Sequence, residues 1–117
     1  METKVFIDTA TFNELKDQVG ADFVIELIDT YSLETGGLID QLHQALALKD
    51  AVAFGRLAHS IKSSSASLGA LTFSQQAREL EMLGKANDLS GAGPKLERLA
   101  ADFLQVKRCL EELRNEP

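Results

Sequence analysis

The chain of 117 residues has no tryptophan, one cysteine, one tyrosine, two histidines and two prolines. One cysteine cannot close an internal disulfide. Metal cages and base-stacking platforms draw on several His, Cys or aromatic side chains, so this inventory argues against both. No stretch reaches the roughly 18 consecutive apolar residues of a membrane span, and Met1 to Ile7 lacks the basic start and apolar run of a signal peptide. Basic residues are also outnumbered: 12 Lys and Arg face 18 Asp and Glu, for a net charge of −6. Without a Lys/Arg cluster the electrostatic footprint for a nucleic-acid backbone is missing. A reducing cytoplasm is the expected compartment, and neither nucleic acid nor membrane is an expected partner.

What remains is ordinary globular material, 44% hydrophobic and 26% charged, long enough for one domain that buries roughly two-thirds of its unfolded surface. Because the prolines stand only at 94 and 117, the long middle section is free of the strongest helix breaker. Thr11-Phe12-Asn13-Glu14 has the form of a capping box and Gly20 suits a helix end, which predicts a short helix over 9–19. From Asp22, Phe23, Val24, Leu27, Ile28, Tyr31, Leu38, Ile39, Leu42, Ala45 and Leu46 recur at helical spacing. The stripe keeps its phase across Gly36-Gly37, predicting one helix over 22–48 with room for a bend at the glycine pair; two shorter helices broken there are the alternative.

Asp50 as N-cap and Gly69 as terminator bracket a third helix over 51–68, with Phe54, Leu57, Ala58, Ile61 and Leu68 on one face. A second capping-box pattern, Thr72-Phe73-Ser74-Gln75, opens a helix over 73–86, and the intervening loop of about three residues forces the two to pack antiparallel. Pro94 suits the first turn of a last helix over 94–114, carrying Leu96, Leu99, Phe103, Val106, Leu110 and Leu113 inward. No segment alternates with period two. The expected fold is all-α, an antiparallel up-down four-helix bundle with a short additional N-terminal helix, in a single domain over 1–117.

At 100° per residue, His59 lies roughly 160° from the mean direction of the third helix's apolar face and points to solvent. Gly55, Ser63 and Ala66, at i−4, i+4 and i+7, are too small to shield the imidazole. Arg56 and Lys62 at i−3 and i+3 carry stems long enough to reach an anion beside the ring. An exposed imidazole in a clearing of small residues, flanked by cations, suits a phosphoryl group. Local spacing alone also describes a solvated surface histidine.

The run from Ala58 to Ala70, A-H-S-I-K-S-S-S-A-S-L-G-A, resembles the signature of histidine-containing phosphotransfer (Hpt) domains, A-H-x-L-K-G-S-S-x-x-L-G-A. Ala77-Arg78-Glu79-Leu80-Glu81 is similar to the family's following L-E segment. Ser63 stands where the family most often has glycine; it is small enough to keep access to the ring, and its hydroxyl bears on transfer rate. The resemblance implies that Nε2 of His59 carries the phosphoryl group, that Glu81 takes the Glu/Gln position bonded to the other ring nitrogen, and that Lys62 contacts the phosphoryl group. Arg56 rests on spacing alone.

The resemblance also implies a relay in which His59 accepts the group from a phospho-aspartate of one response-regulator receiver domain and passes it to another. The expected partners are receiver domains and a hybrid sensor histidine kinase. The chain is expected to be a monomer, either free-standing or a cytoplasmic C-terminal domain of such a kinase. No Gly-rich phosphate loop, Walker-type G-K-[ST] or acidic Mg²⁺ cluster is evident, so the chain is expected to be a phosphoryl carrier without its own kinase activity or cofactor, with Mg²⁺ supplied by the receiver. Docking asks for an apolar patch beside His59, from the first helix and nearby parts of the second and third.

Two rival readings are a helical adaptor that docks receivers without stable phosphorylation and a kinase dimerisation domain. His43, with Asp40 at i−3, has half of a di-iron bundle motif and reads as a boundary histidine. Cys109 reads as a small core filler.

Overall fold

The four helix-to-helix connections are short, and three reverse the chain by the same hydrogen-bond pattern. In a computed structural model that describes residues 6–115, the chain forms α1 (Thr9–Val19), α2 (Ala21–Ala47), α3 (Ala51–Ser67), α4 (Leu71–Lys85) and α5 (Ala92–Arg114), with no strand among the described residues. After α2, Asp50 N–H donates to Ala45 O and Lys49 N–H to Leu46 O; after α3, Ala70 donates to Ser65 O and Gly69 to Ala66 O; after α4, Asp88 donates to Leu83 O and Asn87 to Gly84 O. Each is a Schellman turn with its pivot at positive φ: Lys49 (56°), Gly69 (91°) and Asn87 (55°). Gly69 meets a second demand, since a Cβ there would sit 2.7 Å from Asp8 O. Asp8 N–H donates to Gly69 O at 2.7 Å, pinning the entry to α1 onto the end of α3.

Both capping-box expectations are corrected. α1 is capped by Asp8, whose carboxylate accepts from Thr11 N–H at 3.1 Å. α4 starts at Leu71 with Ala70 at its N-cap and no side-chain cap. There the Schellman turn leads directly into the helix, and Ser74 spends its hydroxyl on Lys62 O at 2.8 Å. Asp50 does cap α3, accepting from Ala53 N–H at 3.1 Å. α5 begins at Ala92, two residues before the expected 94, because Pro94 is tolerated anywhere in the first turn, where N–H groups have no intrahelical partner.

α2 runs unbroken through Gly36-Gly37; its 27 residues span roughly 40 Å, most of the molecule's 45 Å long axis. α2 and α4 each pack against both α3 and α5, and α1 lies on α2 and α3. The core is filled by fully buried Phe54, Ala58 and Ile61 of α3, Phe73 and Leu80 of α4, and Leu96, Leu99 and Val106 of α5. The Phe103 ring lies 6.3 Å from Tyr31 and 5.9 Å from Phe73, joining α5 to α2 and α4. Phe23, expected on the inner stripe of α2, is exposed. It stands in the first turn, where the buried row runs through Val24 and Ile28 instead.

The serine run splits by helical phase. Ser64 is exposed and bonds back to Ser60 O at 3.0 Å. Ser65 instead faces α2 and shares a 2.7 Å hydrogen bond with the hydroxyl of Tyr31. Burial pushes the Tyr31 phenol up to about 12, so it stays a neutral partner. Among the described residues no helix is long and apolar enough to cross a membrane.

Candidate functional site

α3 and α4 form the most extensive of the helix contacts, and the ionisable groups along their shared edge converge on one carboxylate. Glu81 is only 3% exposed. Its Oε2 lies 2.7 Å from His59 Nδ1, its Oε1 2.7 Å from Lys62 Nζ, and Lys85 Nζ approaches Oε2 at 3.4 Å. The hydrogen bond from Lys62 overcomes the cost of burial, and with help from His59 and Lys85 holds the Glu81 carboxyl down to about 2. Glu81 is therefore an anion at neutral pH and can only accept.

That protonation state decides the histidine. Facing a carboxylate, Nδ1 must carry the proton, so the neutral ring leaves the lone pair on Nε2. The His59 side chain is 57% exposed, and beside it an open groove of about 660 Å³ runs between α3 and α4, with Arg56, Glu81 and Lys85 on its walls. The arrangement presents an outward nucleophilic nitrogen whose ring is oriented from behind by a buried anion.

A stability prediction follows from the depressed Glu81. A carboxyl whose folded pKa lies below its ordinary 4.5 contributes stability that is complete above that value and lost as pH falls toward about 2. The thermal midpoint should drop over that interval, and Glu81→Gln should flatten the drop. Equal slopes in the two proteins would deny Glu81 its part in acid unfolding.

The other expected site residues are placed as follows. Lys62 is engaged with Glu81. Arg56 is exposed and lines the groove beside His59, and Ser63 is exposed one turn beyond the ring. Ala66 is half-buried. Gly55, expected on the outer clearing, is buried at the crossing with α4, 3.6 Å from Glu81 O as measured from an added Cβ. The correction has a simple cause: the position four residues before an exposed histidine faces outward only if no neighbouring helix closes over that turn, and α4 does so at Gly84. Lys85 escaped notice in the sequence, although its i+4 spacing from Glu81 was a usable signal.

His43 lies on the far side of the molecule. Its Nδ1 meets Ile39 O at 3.0 Å and its Nε2 meets Glu97 at 2.9 Å, which raises its pKa chiefly through the Glu97 bond. No group of three or more His, Cys, Asp or Glu able to hold a metal exists among the described residues. Cys109 is buried in α5.

A family model described as the Hpt domain matches residues 26–116. The chain belongs to the Hpt family. In line with that membership, its structure is similar to histidine-containing phosphotransfer protein B (HptB) from Pseudomonas aeruginosa PAO1, with a TM-score of 0.89 and 28% identity over 93% of this chain and 94% of that one. No curated protein shows a significant match. The five helices are an Hpt-like fold, and histidine phosphotransfer in a phosphorelay is the function that goes with it. Hpt proteins are phosphoryl carriers rather than kinases, and Hpt domains work with receiver domains and kinases.

Proposed function

We propose that His59 is the phosphoryl-accepting residue of this Hpt protein, taking the group from a phospho-aspartate of one receiver domain and delivering it to the aspartate of another. The observation that carries this is the 2.7 Å contact of Nδ1 with a buried, charged Glu81, which leaves the Nε2 lone pair facing outward. In the accepting step Nε2 attacks phosphorus, an N–P bond forms, and the P–O bond to the donor aspartate breaks, releasing its carboxylate. No base has to remove a proton from the nucleophile, because the ring's proton already sits on Nδ1. The positive charge that develops on the ring is stabilised by Glu81. Lys62 keeps Glu81 ionised and supports the phosphoryl group from that side; Arg56 offers a weaker contact, and Ser63 and Ala66 are small enough to keep the ring open. Mg²⁺ and the acidic pocket come from the receiver.

In this reading the four long helices form an antiparallel up-down bundle carrying α1 as an additional short helix. The chain acts as one domain and as a monomer in the cytoplasm, served by a hybrid sensor kinase. The receiver docks on the His59 face, where an apolar groove between α1, α2 and α3 includes Leu15, Leu27, exposed Leu33 and Leu38 and reaches Ser60 next to the histidine. Incubation with a phosphorylated receiver should transfer label to this protein as an acid-labile, base-stable phosphoramidate. Tight receiver binding with no label would instead mark a helical adaptor.

A further inference from the structure

The His59–Glu81 hydrogen bond joins two helices, so its length depends on how closely α3 and α4 approach. One turn away, at Gly55 and Gly84, their backbones come into direct contact. Gly55 stands four residues before His59, and Gly84 three after Glu81. A Cβ added to Gly84 would lie 2.6 Å from Gly55 Cα, 2.7 Å from Gly55 N and 2.8 Å from Ala51 O. All three are backbone atoms, so no flexible side chain can yield; the helices themselves would have to part. A Cβ on Gly55 would meet its nearest neighbours only at 3.6 Å, an ordinary contact. The demand for glycine is therefore one-sided and falls on Gly84. On the other side of the ion cluster Ser74, 7% exposed, donates to Lys62 O at 2.8 Å and ties α4 back to α3.

We infer that Gly84 and Ser74 are positioning residues: together they hold α4 against α3 at the spacing at which Glu81 reaches Nδ1 of His59 and fixes its tautomer. Neither touches the imidazole. Both act through the helix that carries Glu81, and the inference rests on His59 being the acceptor only where phosphotransfer is the readout. Opening the crossing by several tenths of an ångström at Gly84 lengthens a 2.7 Å bond one turn away. The ring then samples the tautomer with the proton on Nε2, which has no lone pair to offer. Misplacement on the ångström scale costs up to about a hundredfold in rate.

The test uses the whole chain labelled with ¹⁵N on histidine. In the wild type the imidazole shifts should show His59 as the Nδ1–H tautomer. Gly84→Ala should move the shifts toward a mixture and slow phosphorylation from a receiver by roughly tenfold to a hundredfold. Ser74→Ala, which removes a bond without creating a clash, should shift the tautomer in the same direction by less, and it decides the matter if Gly84→Ala does not fold. Val106→Ala, a cavity in α5 remote from the cluster, reports mere loss of stability and should leave the tautomer alone. Wild-type tautomer shifts in folded Gly84→Ala or in Ser74→Ala would overturn the inference while leaving the acceptor assignment standing. Labelling that survives loss of His59 would remove that assignment and leave the tautomer result intact.

Discussion

His59→Gln should accept no phosphoryl group from any receiver while keeping the fold. Glutamine retains a side chain of similar reach and an amide able to donate to Glu81, so the carboxylate keeps a partner and the α3–α4 edge is not left with an unpaired buried charge. What it cannot provide is a nucleophilic nitrogen lone pair, because amide resonance withdraws it. Half the wild-type side chain lies in solvent, so the change in stability should stay within about 1 kcal/mol. Circular dichroism and thermal melting against the wild type check the fold, and transfer of ³²P from a phosphorylated receiver checks the chemistry. The other histidine cannot take over: His43 has both ring nitrogens against oxygen acceptors, Ile39 O and the Glu97 carboxylate. Label retained by His59→Gln would send the site assignment elsewhere.

Glu81→Ala should have the second largest effect, and it should act on rate and stability together. Removing the carboxylate leaves Nδ1 of His59 without an acceptor, so the ring loses its preferred tautomer and the charge that stabilises the phosphorylated imidazole. Loss of a partner that orients a functional imidazole lowers activity by about tenfold to a hundredfold. The same change strands Lys62, whose side chain is 29% exposed, while Lys85 at 70% simply returns to water. Because Lys62 reaches solvent in part, the destabilisation should be about 2 kcal/mol rather than the larger cost of a wholly buried unpaired charge. Glu81→Gln separates the two effects. His59 and Lys62 meet different oxygens of Glu81, and glutamine replaces one of the two with an NH2 that cannot accept, so this variant should keep more of the transfer rate than Glu81→Ala and lose the acid-dependent part of stability. Equal rates for Glu81→Ala and wild type would remove its role in orienting the ring.

The groove on the α1, α2 and α3 side and the ion cluster on the α4 side meet at Ser60, next to His59. In the proposed reading this separates two tasks around one imidazole: apolar residues on one flank offer area to a receiver, while the other flank sets protonation and orientation. The net charge of −6 does not oppose an acidic receiver pocket locally, since Arg56, Lys62 and Lys85 all stand on the cluster side of His59.

The helices and the direction of His59 were legible in the sequence because helical periodicity is a local property. The phase of Phe54, Ala58 and Ile61 fixes where His59 points whatever packs around it, and Asp50 and Gly69 close α3 through bonds to residues no more than four or five positions away. The signature around His59 and the L-E segment at Glu81 carried the family. Capping was less legible, since several residues compete to start one helix. Asp8 rather than the Thr11 box caps α1, and α4 opens from the turn at Ala70 rather than from the Thr72 box. Only the tertiary structure decided that Lys62 and His59 meet on the same carboxylate, that these partners keep Glu81 an anion against the cost of burial, and that Gly55 lies beneath α4 instead of in the open. Those facts depend on how far apart two helices sit, and that distance is set where Gly84 meets Gly55, between residues 29 positions apart in the chain.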